Sequence, residues 1–131
     1  MVVLDTNIII DHLRQSLNKI SFLRRIEDKI NRENLAISII SIQELYEGKS
    51  TQYKNQEQYL LATISPLKIL PYTYETAQLA GEIARDLKQN IELADAAIAA
   101  TAIINGASLI TLNKKHFLNI NHLQLQDIEL E

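Results

Sequence analysis

Three carboxylates carry whatever chemistry this chain performs. Asp5 closes the apolar run Val2-Val3-Leu4 and is followed by Thr6 and Asn7; Glu44 stands three residues after Ser41; Asp95 heads an alanine-rich run that ends near Gly106. Brought together, three acids repel one another, which raises at least one pKa and destabilises the empty fold unless a cation offsets the charge. The chain has no Cys and only three His, so the donors available are hard oxygens. Such donors select Mg²⁺ or Mn²⁺ rather than Zn²⁺, and a carboxylate-bound magnesium that keeps several waters suits phosphate chemistry. Each acid also has an ordinary structural use. Asp5 fits a turn or cap after a strand, Ser41 and Glu44 form the Ser-x-x-Glu pattern of a capping box, and Asp95 fits the N-cap or first turn of a helix, where the macrodipole favours a carboxylate.

The elements around these residues decide whether they can meet. Val2 to Leu4 is uninterrupted and apolar, as in a strand buried on both faces of a parallel sheet. Thr6 and Asn7 are good capping residues for a short helix over Ile8 to Leu13. Leu17, Ile20, Leu23, Ile26 and Ile30 recur at helical spacing with Lys19, Arg24, Arg25, Lys29 and Arg32 mostly between them, which predicts an amphipathic helix whose basic side is solvated or fronts phosphates. Leu35 to Ile40 predicts a second strand, and Ser41 the start of the next helix. A turn or loosened helix follows from Gly48 to Asn55, then a helix over Tyr53 to Ile64 bounded by Pro66. Leu67 to Leu70 is a short strand stopped by Pro71. Thr73 to Lys88 is helical, with Asn90 as its terminator. From Ala96 the chain is apolar nearly all round, so its helix should be buried between other elements, with Gly106 ending it. Leu109 to Leu112 is another strand, and Leu123 to Leu125 a last edge strand.

This pattern predicts one α/β domain over residues 1–131, built on four to five strands. In open α/β sheets ligands bind at the carboxyl ends of the strands. If the strands are parallel, Asp5 and Glu44 leave the sheet at the same edge, and the loop before Ala96 brings Asp95 there. With 131 residues, 47 % of them apolar and 22 % charged, the chain is long enough for a core and too ordinary in composition for disorder. Its net charge of −3 leaves no broad basic surface for a phosphate backbone, so contact with nucleic acid would need local basic patches, bound cations or a partner. No signal peptide or membrane span is visible, and a soluble cytoplasmic protein is the default.

Four blocks in this order and spacing resemble the PIN-domain ribonucleases, and among them the VapC-type toxins of prokaryotic toxin–antitoxin pairs: Leu4-Asp5-Thr6-Asn7; Ser41-Ile42-Gln43-Glu44-Leu45 with Gly48; Leu93-Ala94-Asp95-Ala96-Ala97-Ile98-Ala99-Ala100-Thr101-Ala102; and Leu109-Ile110-Thr111 with Asn113 and His116-Phe117. The resemblance covers nearly the whole chain. It implies a Rossmann-like parallel sheet flanked by helices and Mg²⁺- or Mn²⁺-dependent cleavage of RNA. Asp5, Glu44 and Asp95 match three of the family's acidic positions, and Thr6 matches its hydroxyl beside the first Asp. The fourth block departs, since many members carry an acid near Asn113 or at His116, which puts a second metal site in doubt. Asn113 could ligate through its amide oxygen and His116 could touch a phosphate, although a lone surface His is more often neutral in role.

The expected activity is therefore a metal-dependent endoribonuclease. Asp5 and Asp95 would bind the metal, Glu44 would be a further ligand or the base that orients water, and in-line attack would leave a 5′-phosphate. The resemblance also implies an antitoxin that blocks the acidic pocket, through an Arg or Lys side chain, and a homodimer. Tyr46, Tyr53 and Tyr59 would line the partner groove or join the core. A rival is a catalytically silent PIN-like binding module holding a structural cation or none. A haloacid-dehalogenase-type phosphatase wants a second Asp two residues after the first, where this chain has Asn7. A receiver domain wants a central acceptor Asp, and none is seen.

Overall fold

Alternation along buried strands decides which side of the sheet each helix covers. In this computed structural model, which describes residues 1–15 and 18–128, four strands form one parallel sheet in the order β3-β2-β1-β4. They are β1 (Val2–Leu4), β2 (Leu35–Ser38), β3 (Lys68–Leu70) and β4 (Ser108–Ile110). Successive side chains of a strand point to opposite faces. Leu4, Leu35, Ile37 and Ile110 therefore share one face, packed against Ile8 and Ile9 of α1 (Thr6–Arg14), Leu23 and Ile26 of α2 (Phe22–Lys29) and Leu60 of α4 (Lys54–Ile64). Val3, Ala36 and Leu109 point the other way, into Ala80 and Ile83 of α5 (Tyr74–Asp86) and the alanines of α6 (Leu93–Ile104). Each large apolar side chain buried this way contributes about 1.5–3 kcal/mol. The remaining helix, α3 (Ile39–Glu47), follows β2 directly and touches α1 and α6.

Several boundaries differ from the sequence expectation. Strand β2 ends at Ser38, whose hydroxyl accepts from the Ile40 N–H at 3.0 Å, so Ile39 and Ile40 open α3 instead of extending the strand. Ser41 then lies inside the helix, and the Ser41–Glu44 capping box does not form. The expected helix from Leu17 to Ile30 shortens to α2, because Ser21 caps it by accepting from Arg24 N–H at 3.2 Å. Ile20 precedes that cap and is 62 % exposed, and Leu17 lies outside the described residues. Arg24, Arg25 and Lys29 are exposed on α2 as expected. Helix α5 stops at Asp86 because Leu87 turns extended, so Asn90 is not its terminator. Asp95 is not an N-cap: α6 begins at Leu93 and places Asp95 within its first turn. Leu112 falls beyond β4, and the expected strand at Leu123 to Leu125 reduces to one parallel bridge, Leu125 opposite Leu109. Gly106 does end α6, at φ +62°, a conformation glycine adopts without strain.

Tyr46, Tyr53 and Tyr59 are all exposed, which excludes the core alternative for them. Among the described residues no helix is long and apolar enough to cross a membrane.

Candidate active site

Asp5 is the first residue after β1 and the N-cap of α1, the structural use the sequence allowed it. Its Oδ1 accepts from the Thr6 N–H at 2.7 Å, which satisfies one orphan donor of the helix start. Its Oδ2 accepts from the Thr111 hydroxyl, also at 2.7 Å. Its own N–H donates to the Ile110 carbonyl at 2.9 Å, locking it to the exit of β4. The residue is only 5 % exposed.

Thr6 carries the link to the second acid. Its Oγ1 lies 2.6 Å from Glu44 Oε1 and 2.8 Å from Ser41 Oγ. One hydroxyl proton serves one acceptor, and an ionised carboxylate can only accept. Thr6 therefore donates to Glu44 over the shorter contact, with the Ser41 hydroxyl oxygen as a second acceptor within its reach. Ser41, expected as a cap, is instead a fully buried support for this pair.

Thr111 ties down the other side. Besides donating to Asp5, its oxygen accepts from the Asn113 backbone N–H at 3.0 Å and faces Asn7 Nδ2 at 3.4 Å. Asn7 Oδ1 accepts from Leu112 N–H at 3.3 Å, so the start of α1 and the exit of β4 are stitched together. Asn113 thus meets the site through its backbone. Asp95, one turn into α6, has its Oδ2 3.2 Å from His116 Nδ1. His116 is consequently not an idle surface residue.

The electrostatics join the three acids. Burial pushes the pKa of Asp5 up, the hydrogen bonds from Thr111 and Thr6 pull it back, and the charge of Asp95 adds to the rise. Burial likewise raises Asp95, which His116 eases while Glu92 and Glu44 oppose its ionisation. Glu44 is raised by burial, relieved by Thr6, and raised again by Asp5, Glu47 and Glu92. Glu92 was not singled out from the sequence; its position one residue before α6 is the only signal. Thr111 and Ser41 were equally unmarked as site residues, because their partners are 106 and 35 residues away.

The site lies at the carboxyl ends of β1, β2 and β4. A cavity of about 330 Å³ opens beside Asp95, between Gln89, Glu92, Lys115 and His116. A second, of about 540 Å³, reaches Thr111 from the side of Phe22 and Lys114. Among the described residues, no three His, Cys, Asp or Glu side chains form a ready-made metal cage. The donor chemistry nonetheless fits a hard divalent cation. Asp5 is buried and Asp95 half-buried, the charge of Asp95 bears on Asp5, and magnesium is commonly held by one or two carboxylates with water completing its shell.

The PIN domain family matches residues 2–123. The ribonuclease VapC10 of Mycobacterium tuberculosis is 32 % identical over 120 residues, covering 89 % of this chain and 86 % of that protein. The ribonuclease VapC2 of Rickettsia felis is 30 % identical over 130 residues, covering 95 % and 96 %. In structure, VapBC2 of Rickettsia felis, solved on a DNA fragment of its promoter, superposes with a TM-score of 0.79 at 29 % identity over 98 % of both chains. DNA-bound VapBC of Salmonella typhimurium gives 0.82 at 25 % identity, again over 98 % of both. The family model spans nearly the whole chain, and ribonucleases at 30 % identity or more cover most of it: the chain belongs to the PIN-domain family.

Proposed function

We propose that this protein is a metal-dependent endoribonuclease and the toxin of a type II toxin–antitoxin pair, with Asp5, Glu44 and Asp95 as its working acids. The observation that supports this most is that Thr6 bonds both Asp5, through its N–H, and Glu44, through its hydroxyl, beside an Asp95 whose charge bears on Asp5, at the edge where the parallel strands end. Asp5 and Asp95 hold Mg²⁺, or Mn²⁺ in its place. When bound, such a cation activates water and offsets charge on the phosphorane. Thr6 and Thr111 fix the Asp5 carboxylate from two sides, so little reorganisation is needed at the moment of reaction. Glu44, steadied by the Thr6 hydroxyl, serves as a further ligand or as the base that orients the attacking water. Burial raises its pKa, the direction that makes a carboxylate a stronger base.

Relatives solved as VapBC complexes support an antitoxin as partner. An acidic pocket attracts a cationic side chain by charge-assisted hydrogen bonds, so an antitoxin Arg or Lys entering beside Asp95 would block the site. A homodimer and an RNA substrate complete the proposal, and the exposed tyrosines Tyr46, Tyr53 and Tyr59 are available to partners.

The rival is a silent PIN-like module, favoured by the missing three-residue cage and by His116 at an acid's place. Titrating Mg²⁺ or Mn²⁺ against a fluorogenic RNA separates the two. The nuclease cuts only with metal, and Asp95→Asn lowers the rate by more than the roughly 10–100-fold typical of residues behind a ligand. An Asp95→Asn protein that cuts at the parental rate refutes the assignment.

A further inference from the structure

A cavity adjoins the acids that the reading so far leaves without a role. It measures about 540 Å³ and lies between the Phe22 ring and the basic turn Lys114–Phe117, with Thr111, Asn113 and Gln126 in its wall. That volume is in the range of small-molecule sites, about 300–1,000 Å³. Because Thr111 bonds to Asp5, the cavity abuts the working carboxylates. Lys115 and His116 also line the smaller cavity beside Asp95, so the turn stands between the two hollows.

The walls differ in what they can offer. Lys114 is paired with Asp127, which neutralises both. Lys115 is exposed and has no ion-pair partner among the described residues. Of the lysines in the cavity's described lining it is therefore the one left to meet a phosphate, in a protein whose net charge is −3. Phe22 is half-buried, and the Arg25 guanidinium sits 5.6 Å from its ring centroid. Aromatic rings and guanidinium planes are the surfaces on which unstacked bases rest.

We infer that this cavity is a nucleotide subsite next to the scissile bond, in which Lys115 grips a backbone phosphate of single-stranded RNA and the wall at Phe22 receives the flanking base. The inference rests on the ribonuclease reading for its substrate. It adds which residues beside the acids hold the strand, at a side cavity that a base held in a duplex cannot enter.

The test is binding of a short, fluorescently labelled single-stranded RNA of mixed sequence, followed by anisotropy in EDTA, so that it does not depend on cleavage. Lys115→Gln should weaken binding about five- to tenfold and reduce the slope of log K against log salt by roughly 0.7, the value for one phosphate contact on a single strand. Lys114→Gln should cost less, because Lys114 is already paired. Lys68→Gln, on β3 at the far edge of the sheet, should bind as the parent does. Replacing one base at a time by an abasic site should locate one position whose loss costs the parent about tenfold. Phe22→Leu, which keeps an apolar side chain against the core, should remove that sensitivity.

Parental affinity in Lys115→Gln, or a parent that binds no RNA, overturns the inference. So does a parent indifferent to every abasic position. Cleavage by the parent with Mg²⁺ is read separately. Weakened binding in Lys115→Gln with no cleavage by the parent would end the nuclease reading and leave the subsite standing, whereas cleavage with unaltered Lys115→Gln binding would do the reverse.

Discussion

Asp5 does two things with one carboxylate: one oxygen caps α1 and the other takes the Thr111 hydroxyl. Both bonds favour the ionised form, yet burial outweighs them and its pKa rises from 3.8. Asp95, also raised from 3.8, and Glu44, raised from 4.5, follow the same rule. A carboxylate whose pKa is higher in the folded protein holds its proton longer there than in the unfolded chain. Ionising it therefore costs stability, and that loss begins near the ordinary carboxylate range and is complete above the raised folded value. Asp95→Asn removes one of the charges without emptying the pocket. In EDTA, the Tm of Asp95→Asn minus that of the parent should be close to zero near pH 4 and grow to about 2–4 °C by pH 7. A difference that stays flat across that range, or shrinks, would show that the three acids do not strain the metal-free fold.

Helix α6 is the element on which the site depends, since it carries Asp95 to the edge where β1 and β2 deliver Asp5 and Glu44. It can do so because Ala96, Ala97, Ala99, Ala100 and Ala102 are buried and small, letting α5 and the sheet approach closely. Enlarging Ala99, which is wholly buried, should cost about 1–3 kcal/mol as Ala99→Leu in chemical denaturation. A cost under about 0.5 kcal/mol would mean that α6 is loosely seated. This helix was legible in the sequence, from its alanine run and from Gly106, and so were the four strands as short apolar runs. Other boundaries were not. Ser38 and Ser41 both precede an apolar turn, and only the depth at which β2 leaves the core decides that Ser38 caps. The spacing of Leu17 and Ile20 continues the α2 pattern, but Ser21 caps the helix and excludes Ile20. Among the candidate site residues, the three acids could be picked from sequence because acids at strand ends are conspicuous. Thr111 and Ser41 could not, because a hydroxyl acquires its role only from a partner that folding brings near.

At the scale of the molecule, the strand order places β1 between β2 and β4, so three strand exits crowd around Asp5. A parallel sheet sends all of those exits to one edge, and two parallel connections through helices suffice to gather acids spaced across the chain. The same topology gathers positive charge sparingly: Lys115 and His116 border the acids, while the chain as a whole is acidic. On the proposed function, long-range attraction of RNA is thus weak, and recognition depends on contacts made after encounter. The proposal that Asp5 and Asp95 together hold a divalent cation is decided by anomalous diffraction from crystals of the protein soaked in Mn²⁺. A single strong peak in contact with carboxylate oxygens of both Asp5 and Asp95, lost in Asp95→Asn crystals, is expected; a peak that touches neither acid, or one that persists unchanged in the variant, would refute the assignment.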